Sequence, residues 1–94
     1  CLDLGHKAVA GENPLKQRVV IPGLPDALPV MHSEEHLVME VPDVHSIDIG
    51  TAFLAIPWHI CPTVALHDNV HLVRDGTATG EIWEVAARNR LISI

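Results

Sequence analysis

Val70-His71-Leu72-Val73-Arg74-Asp75-Gly76-Thr77-Ala78-Thr79-Gly80-Glu81-Ile82-Trp83-Glu84-Val85 is the stretch whose reading decides the fold. Two arms with strand-like patterning flank Asp75-Gly76, a dipeptide that tolerates the left-handed backbone of a two-residue hairpin turn. The segment therefore reads as a β-hairpin. On its second arm Glu81, Trp83 and Val85 share one face while Ile82 and Glu84 share the other, as the two-residue period of a strand requires.

Working outward, the same short-strand grammar recurs. Residues 64–66 and 70–73 read as short strands around the polar His67-Asp68-Asn69, and the apolar run 51–56 reads as a buried strand following Ile47, Ile49 and Gly50. Residues 34–41 alternate in part, with Leu37, Met39 and Val41 on one face, and Pro42-Asp43 ends them. Pro22, Gly23, Pro25, Asp26 and Pro29 break the chain repeatedly and predict an irregular connection. Residues 1–4, 19–21 and 91–94 complete the set of short strands, and residues 7–14 read as a loop or single helical turn. No segment of ten residues carries a persuasive helical period, and there is no internal repeat. The expected fold is all-β, a small β-barrel or sandwich, with residues 1–94 forming one domain.

Composition narrows the function classes. A chain of 94 residues supports a single core. Phe53, Trp58 and Trp83 are its only aromatics, so Val, Ile, Leu and Ala must fill that core. A net charge of −6 with six Lys and Arg offers no basic stripe for a phosphate backbone, which argues against nucleic acid. No apolar run approaches the roughly 20 residues of a membrane span, and no signal region is visible. A cytoplasmic, membrane-free protein is expected. Cys1 and Cys61 make one potential disulfide, but a single pair is weak evidence of a secreted scaffold, and free thiols are the expectation. The chain opens on Cys-Leu-Asp-Leu-Gly, a strand already under way, which reads either as the result of processing or as a fragment whose upstream partner domain carries the main chemistry.

Among residues that carry chemistry, Pro57-Trp58-His59-Ile60-Cys61-Pro62-Thr63 stands out. On an extended backbone, His59 and Cys61 project to one side, where imidazole and thiolate together can grip a zinc-like ion between two stiffening prolines. Taken alone, a His-x-Cys pair is more often structural, and two ligands leave a zinc shell incomplete. His36, His67 and Asp68 are further candidates, each also readable as a solvated loop residue; His6, His32, His45 and His71 carry no better signal. Asp3-x-Gly5-x-Lys7 reads as a turn with a solvated lysine, and Glu34-Glu35-His36 as either acid–base groups or a charged face. No Ser-His-Asp order, phosphate loop or Cys-x-x-Cys pair occurs.

Taken together, Pro57-x-His59-x-Cys61-Pro62-Thr63-Val64, the upstream Glu34-Glu35-His36, the opening Asp3-x-Gly5-x-Lys7-Ala8 and Trp83 before Arg88 resemble the D-serine dehydratase-like C-terminal domain, shared with D-threonine aldolases. The resemblance implies a two-domain lyase of the alanine-racemase fold type. Its N-terminal (β/α)8 barrel would hold pyridoxal phosphate in the full-length parent only, and this β-domain would complete the site. It further implies that His59 and Cys61 hold a divalent metal, zinc or alternatively manganese, that meets the β-hydroxyl of a D-3-hydroxy amino acid. Cys61, where many aldolases have Asp, tilts the reading toward the dehydratase branch without deciding it. Lys7 is not the cofactor lysine on this reading, which would lie on the barrel.

On that view the chain alone is inactive, a homodimer is expected, and the surface that faces the barrel should be apolar and exposed. The competing reading is a non-catalytic β-module that binds metal or a protein partner. A third is a structural domain whose His59 and Cys61 never meet a metal.

Overall fold

A two-residue turn closes a hairpin best when its backbone twist matches the strands, which a type I′ turn achieves with positive φ at both central positions. In the computed structural model, which describes residues 1–93, Asp75 has φ 50° and Gly76 φ 75°. The strands in chain order are β1 (Val19–Val20), β2 (Leu28–His32), β3 (Leu37–Glu40), β4 (Ile56–Pro57), β5 (Asn69–Arg74) and β6 (Thr77–Glu84). They pair as three two-stranded antiparallel sheets, β1 with β4, β2 with β3 and β5 with β6. Helix is confined to one turn, α1 (Cys61–Val64), and to three 3-10 turns at Leu15–Gln17, Val44–Ser46 and Ala86–Arg88. The chain is therefore all-β, and no helix among the described residues is long and apolar enough to cross a membrane.

Two structural units divide the chain, Cys1–Thr63 and Val64–Ile94. The first holds the core, made of Val9, Ala10, Ile21 and the fully buried Leu37. Leu37 opens β3 and also exchanges both backbone hydrogen bonds with Leu2, N to O at 2.8 and 3.1 Å. This bridge is all that remains of the strand expected over residues 1–4. In β2 the register slips by one residue between Pro29 and Met31. Pro29 lacks an N–H to give the ladder, and a bulge beside it on a two-stranded edge absorbs the loss. The irregular connection expected around the prolines thus ends earlier than anticipated, at Leu28.

The second unit is the hairpin. Its register runs Val70↔Trp83 and His71↔Ile82, then shifts before Val73↔Ala78. At the shift Gly80 has φ 82°, and the Thr79 hydroxyl reaches back to the Leu72 carbonyl at 3.3 Å. Every residue of β6 is exposed. A two-stranded ribbon has no second layer to bury either face, so Trp83 and Ile82 lie open.

Several expected strands are not formed. The run 51–56 pairs only at Ile56, opposite Val20, and residues 51–55 have no ladder partner. Ahead of that run, Ile47 closes the turn Val44–Ser46, where Asp43 accepts from the His45 N–H at 3.0 Å. Residues 64–66 leave a helical turn, because Pro62 suits the first turn of a helix, where its missing N–H costs nothing. Residues 91–93 form no strand, and Ile94 lies outside the described residues.

Candidate metal centre

His59 and Cys61 lie where β4 gives way to α1. The pairing of β4 with β1 sets Val19 opposite Pro57, and the Trp58 N–H continues it by donating to the Arg18 carbonyl at 3.1 Å. The ladder then stops. His59 sits in a bend, Ile60 follows without regular structure, and Cys61 begins the helical turn. The Thr63 hydroxyl pins this turn by donating to the Ala8 carbonyl at 2.7 Å. The extended geometry expected for His59-Ile60-Cys61 is thus replaced by a bend leading into a helix. Pro62 is the physical reason, since its fixed φ belongs to a helical first turn as readily as to a strand edge.

Both donors face solvent. Cys61 is an exposed free thiol, and so is Cys1, so no disulfide ties them. The His59 ring is about half exposed, and its Nδ1 contacts the Oε1 of Glu12. That hydrogen bond is the main reason the Glu12 carboxyl is held below the ordinary carboxylate range, with a further contribution from its own backbone N–H.

Glu12 is the residue that sequence reasoning passed over. It lies 47 positions upstream of His59 in a Gly-Glu-Asn-Pro loop with no chemical signature. Its loop is nonetheless well tied. The Asn13 side chain donates to the Gln17 carbonyl at 2.9 Å, and the Arg18 Nε donates to the Asn13 carbonyl at 2.9 Å.

Two other singled-out stretches do come together, for structural reasons. Lys7 Nζ lies 2.6 Å from the Glu35 carboxylate and 3.2 Å from that of Glu34. These hydrogen bonds, Glu35 first, raise the Lys7 pKa, and Lys7 in turn lowers that of Glu35. Gly5 makes the approach feasible, because a Cβ there would fall 1.8 Å from the Glu34 carbonyl oxygen. His32 is held by its Nδ1 beside the Arg18 guanidinium and its Nε2 beside the Leu4 carbonyl, each at 3.0 Å, with the His6 ring edge-on to it. In the hairpin unit, Asp68 takes an ion pair from Arg88, and its carbonyl accepts from the Val85 N–H at 2.8 Å. Among the described residues no three His, Cys, Asp or Glu side chains form a metal-holding group. His59 and Cys61 therefore amount to two donors on an open surface.

Comparison with known proteins supplies the context for that pair. Residues 1–73 match the family model described as "Putative serine dehydratase domain". A D-threonine aldolase of an Arthrobacter species is 40% identical over 57 residues, covering 60% of this chain and 15% of the aldolase. Uncharacterized proteins of Mycobacterium tuberculosis and Mycobacterium bovis are 41% identical over 59 residues, covering 62% of this chain and 44% of theirs. The chain thus spans less than half the length of each of these relatives. No solved structure matches.

Proposed function

Because the chain belongs to the serine dehydratase domain family, matched over residues 1–73, we propose that it is the metal-binding C-terminal β-domain of a lyase acting on D-3-hydroxy amino acids. The observation that carries the reading is that the matched span contains His59 and Cys61, two exposed donors with one ring nitrogen of His59 already engaged by Glu12. The aldolase relative bears a D-3-hydroxy amino acid in its name, which supports the substrate class.

The residues fit half of a metal shell. Imidazole nitrogen and thiolate sulfur are donors that zinc accepts readily, whereas manganese prefers oxygen ligands. Zinc takes about four ligands and a catalytic site keeps one for substrate or water, so at least one more donor must come from beyond His59 and Cys61. When bound, the metal supplies Lewis-acid stabilisation of negative charge on a substrate oxygen. Within this chain, Cys61 holds its thiol at the start of α1, the Thr63–Ala8 hydrogen bond keeps that turn in place, and His59 lies in the bend two residues before it.

Lys7 is a poor anchor for pyridoxal phosphate. A Schiff-base lysine must reach its neutral amine form, while the Lys7 ammonium is stabilised by Glu34 and Glu35 and its pKa is raised. On this reading the cofactor belongs to an N-terminal (β/α)8 barrel of the parent, as the family resemblance implies, and this chain alone is inactive. The open apolar side chains support such a docked state: Ile49, Leu54 and Trp58 in the first unit, and Trp83 and Ile82 in the hairpin, are all exposed. A cytoplasmic homodimer is the assembly we assign to the parent.

Elemental mass spectrometry tests the metal reading, comparing the chain with His59→Ala and Cys61→Ala after identical buffer exchange. Near-stoichiometric zinc that is lost in both variants is the expected result. Equal metal in all three would transfer the binding to other histidines and overturn the assignment. If the chain alone is metal-free, the same three-way comparison in the parent decides, since the barrel then supplies missing ligands.

A further inference from the structure

We propose that Glu12 is a positioning residue for His59: by taking a hydrogen bond at Nδ1 it fixes the ring as the Nδ1–H tautomer and leaves Nε2, with its lone pair, as the donor nitrogen. The inference rests on the metal reading of His59 and deepens it, since it names which ring nitrogen is offered and what selects it.

The chemistry leaves little choice. A carboxylate oxygen can only accept, and a neutral imidazole carries a single N–H. Where Nδ1 meets Glu12 Oε1, the proton must sit on Nδ1. Nε2 has no hydrogen-bond partner among the described residues, and the ring stands about half open to solvent. A carboxylate on one nitrogen with the other free is the arrangement by which metal-binding histidines are commonly oriented and made more basic as ligands.

The contact is also built rather than incidental. Arg18 is tied to both of its sides. The Arg18 Nε holds the carbonyl of Asn13, one residue after Glu12, and the Arg18 carbonyl holds the N–H of Trp58, one residue before His59. The guanidinium is itself fixed, since its Nη1 lies 3.0 Å from His32 Nδ1. One residue thus clasps two segments that are 47 positions apart in sequence. Exposed ion pairs contribute little stability, so the pair's value lies in orientation.

The test uses the chain labelled with ¹⁵N-histidine, metal-free, at about pH 8, above the ordinary histidine pKa of roughly 6.5. Long-range ¹H–¹⁵N correlation reads the tautomer of each ring, with the His59 signals identified by their loss in His59→Ala. The expected result is the Nδ1–H tautomer in the wild type, a shift toward Nε2–H in Glu12→Ala, and retention of Nδ1–H in Glu12→Gln, whose amide oxygen still accepts. Zinc affinity, measured by competition with a chromophoric chelator, should fall about 10–100-fold in Glu12→Ala and recover in Glu12→Gln. A wild-type ring protonated at Nε2, a tautomer unmoved by Glu12→Ala, or a switched tautomer with unchanged zinc affinity each overturns the positioning role. Failure of the metal reading looks different: His59→Ala would bind zinc as the wild type does, and the tautomer pattern alone would then decide for or against Glu12.

Discussion

Replacing Gly5 by alanine should remove a large part of the first unit's stability. The new Cβ would lie 1.8 Å from the Glu34 carbonyl oxygen and 2.2 Å from both the Glu34 carbonyl carbon and the Glu35 Cα. All three are backbone atoms, so no rotamer change relieves the clash, and the two segments must separate by about 1 Å in a close-packed region. That movement breaks the hydrogen bonds His6 N–H to Ser33 at 2.9 Å and Lys7 N–H to Glu34 at 3.3 Å. At about 1 kcal/mol for each hydrogen bond, plus about 1–3 kcal/mol for overpacking, the cost is roughly 3–5 kcal/mol. A unit of this size has a total stability of only about 3–9 kcal/mol at typical per-residue values. Urea unfolding followed by Trp58 fluorescence, in a Trp83→Phe background so that one reporter remains, measures the loss. Gly50→Ala is the control: Gly50 has φ 89° but nothing within 4 Å, so it should cost only the left-handed backbone penalty of about 1–2 kcal/mol. A Gly5→Ala midpoint equal to or above that of Gly50→Ala would refute the close-approach argument.

Removing the Lys7 ammonium with Lys7→Met should raise the Glu35 midpoint in a carboxyl NMR titration, because Lys7 is the main reason the Glu35 pKa lies below its ordinary value of 4.5. The sign follows: a carboxyl depressed in the folded state adds stability that is present above the unfolded pKa and lost as pH falls through the folded one. The acid-unfolding profile should therefore lose some of its steepness below that value in the variant, and an unmoved Glu35 midpoint would count against the pairing. Asp75→Val places a β-branched side chain at φ 50° and should weaken the hairpin by about 1–2 kcal/mol. Amide exchange in β5 and β6 should accelerate about 5–30-fold, whereas Asp75→Asn should leave the rates unchanged.

The hairpin was legible because all its information is local. Asp75-Gly76 dictates the turn, and the turn dictates which residues face each other. The pairs β1–β4 and Leu2–Leu37 were not, since each joins segments more than 30 residues apart and a pattern of apolar residues names no partner. Residues 51–55 illustrate the limit. Their composition is that of a buried strand, yet a strand exists only where another backbone accepts its hydrogen bonds, and Leu54 stands exposed. A sequence that buries its apolar run against a further domain would show this composition.

At the candidate centre the donors were visible and their support was not. His59 and Cys61 announce themselves through residue type and the flanking prolines, whereas Glu12 sits in an ordinary loop and acquires meaning only when Arg18 draws that loop and the residues after β4 together. The same logic separates the two charged stretches read as possible chemistry. Glu34 and Glu35 spend their carboxylates on Lys7, which leaves them a poor choice for proton transfer and ties the segment after β2 to the one before the core residue Val9. What sorts the two kinds of polar residue is whether a group finds its partner within the chain, as Lys7 does, or stays open to solvent, as the thiol of Cys61 does.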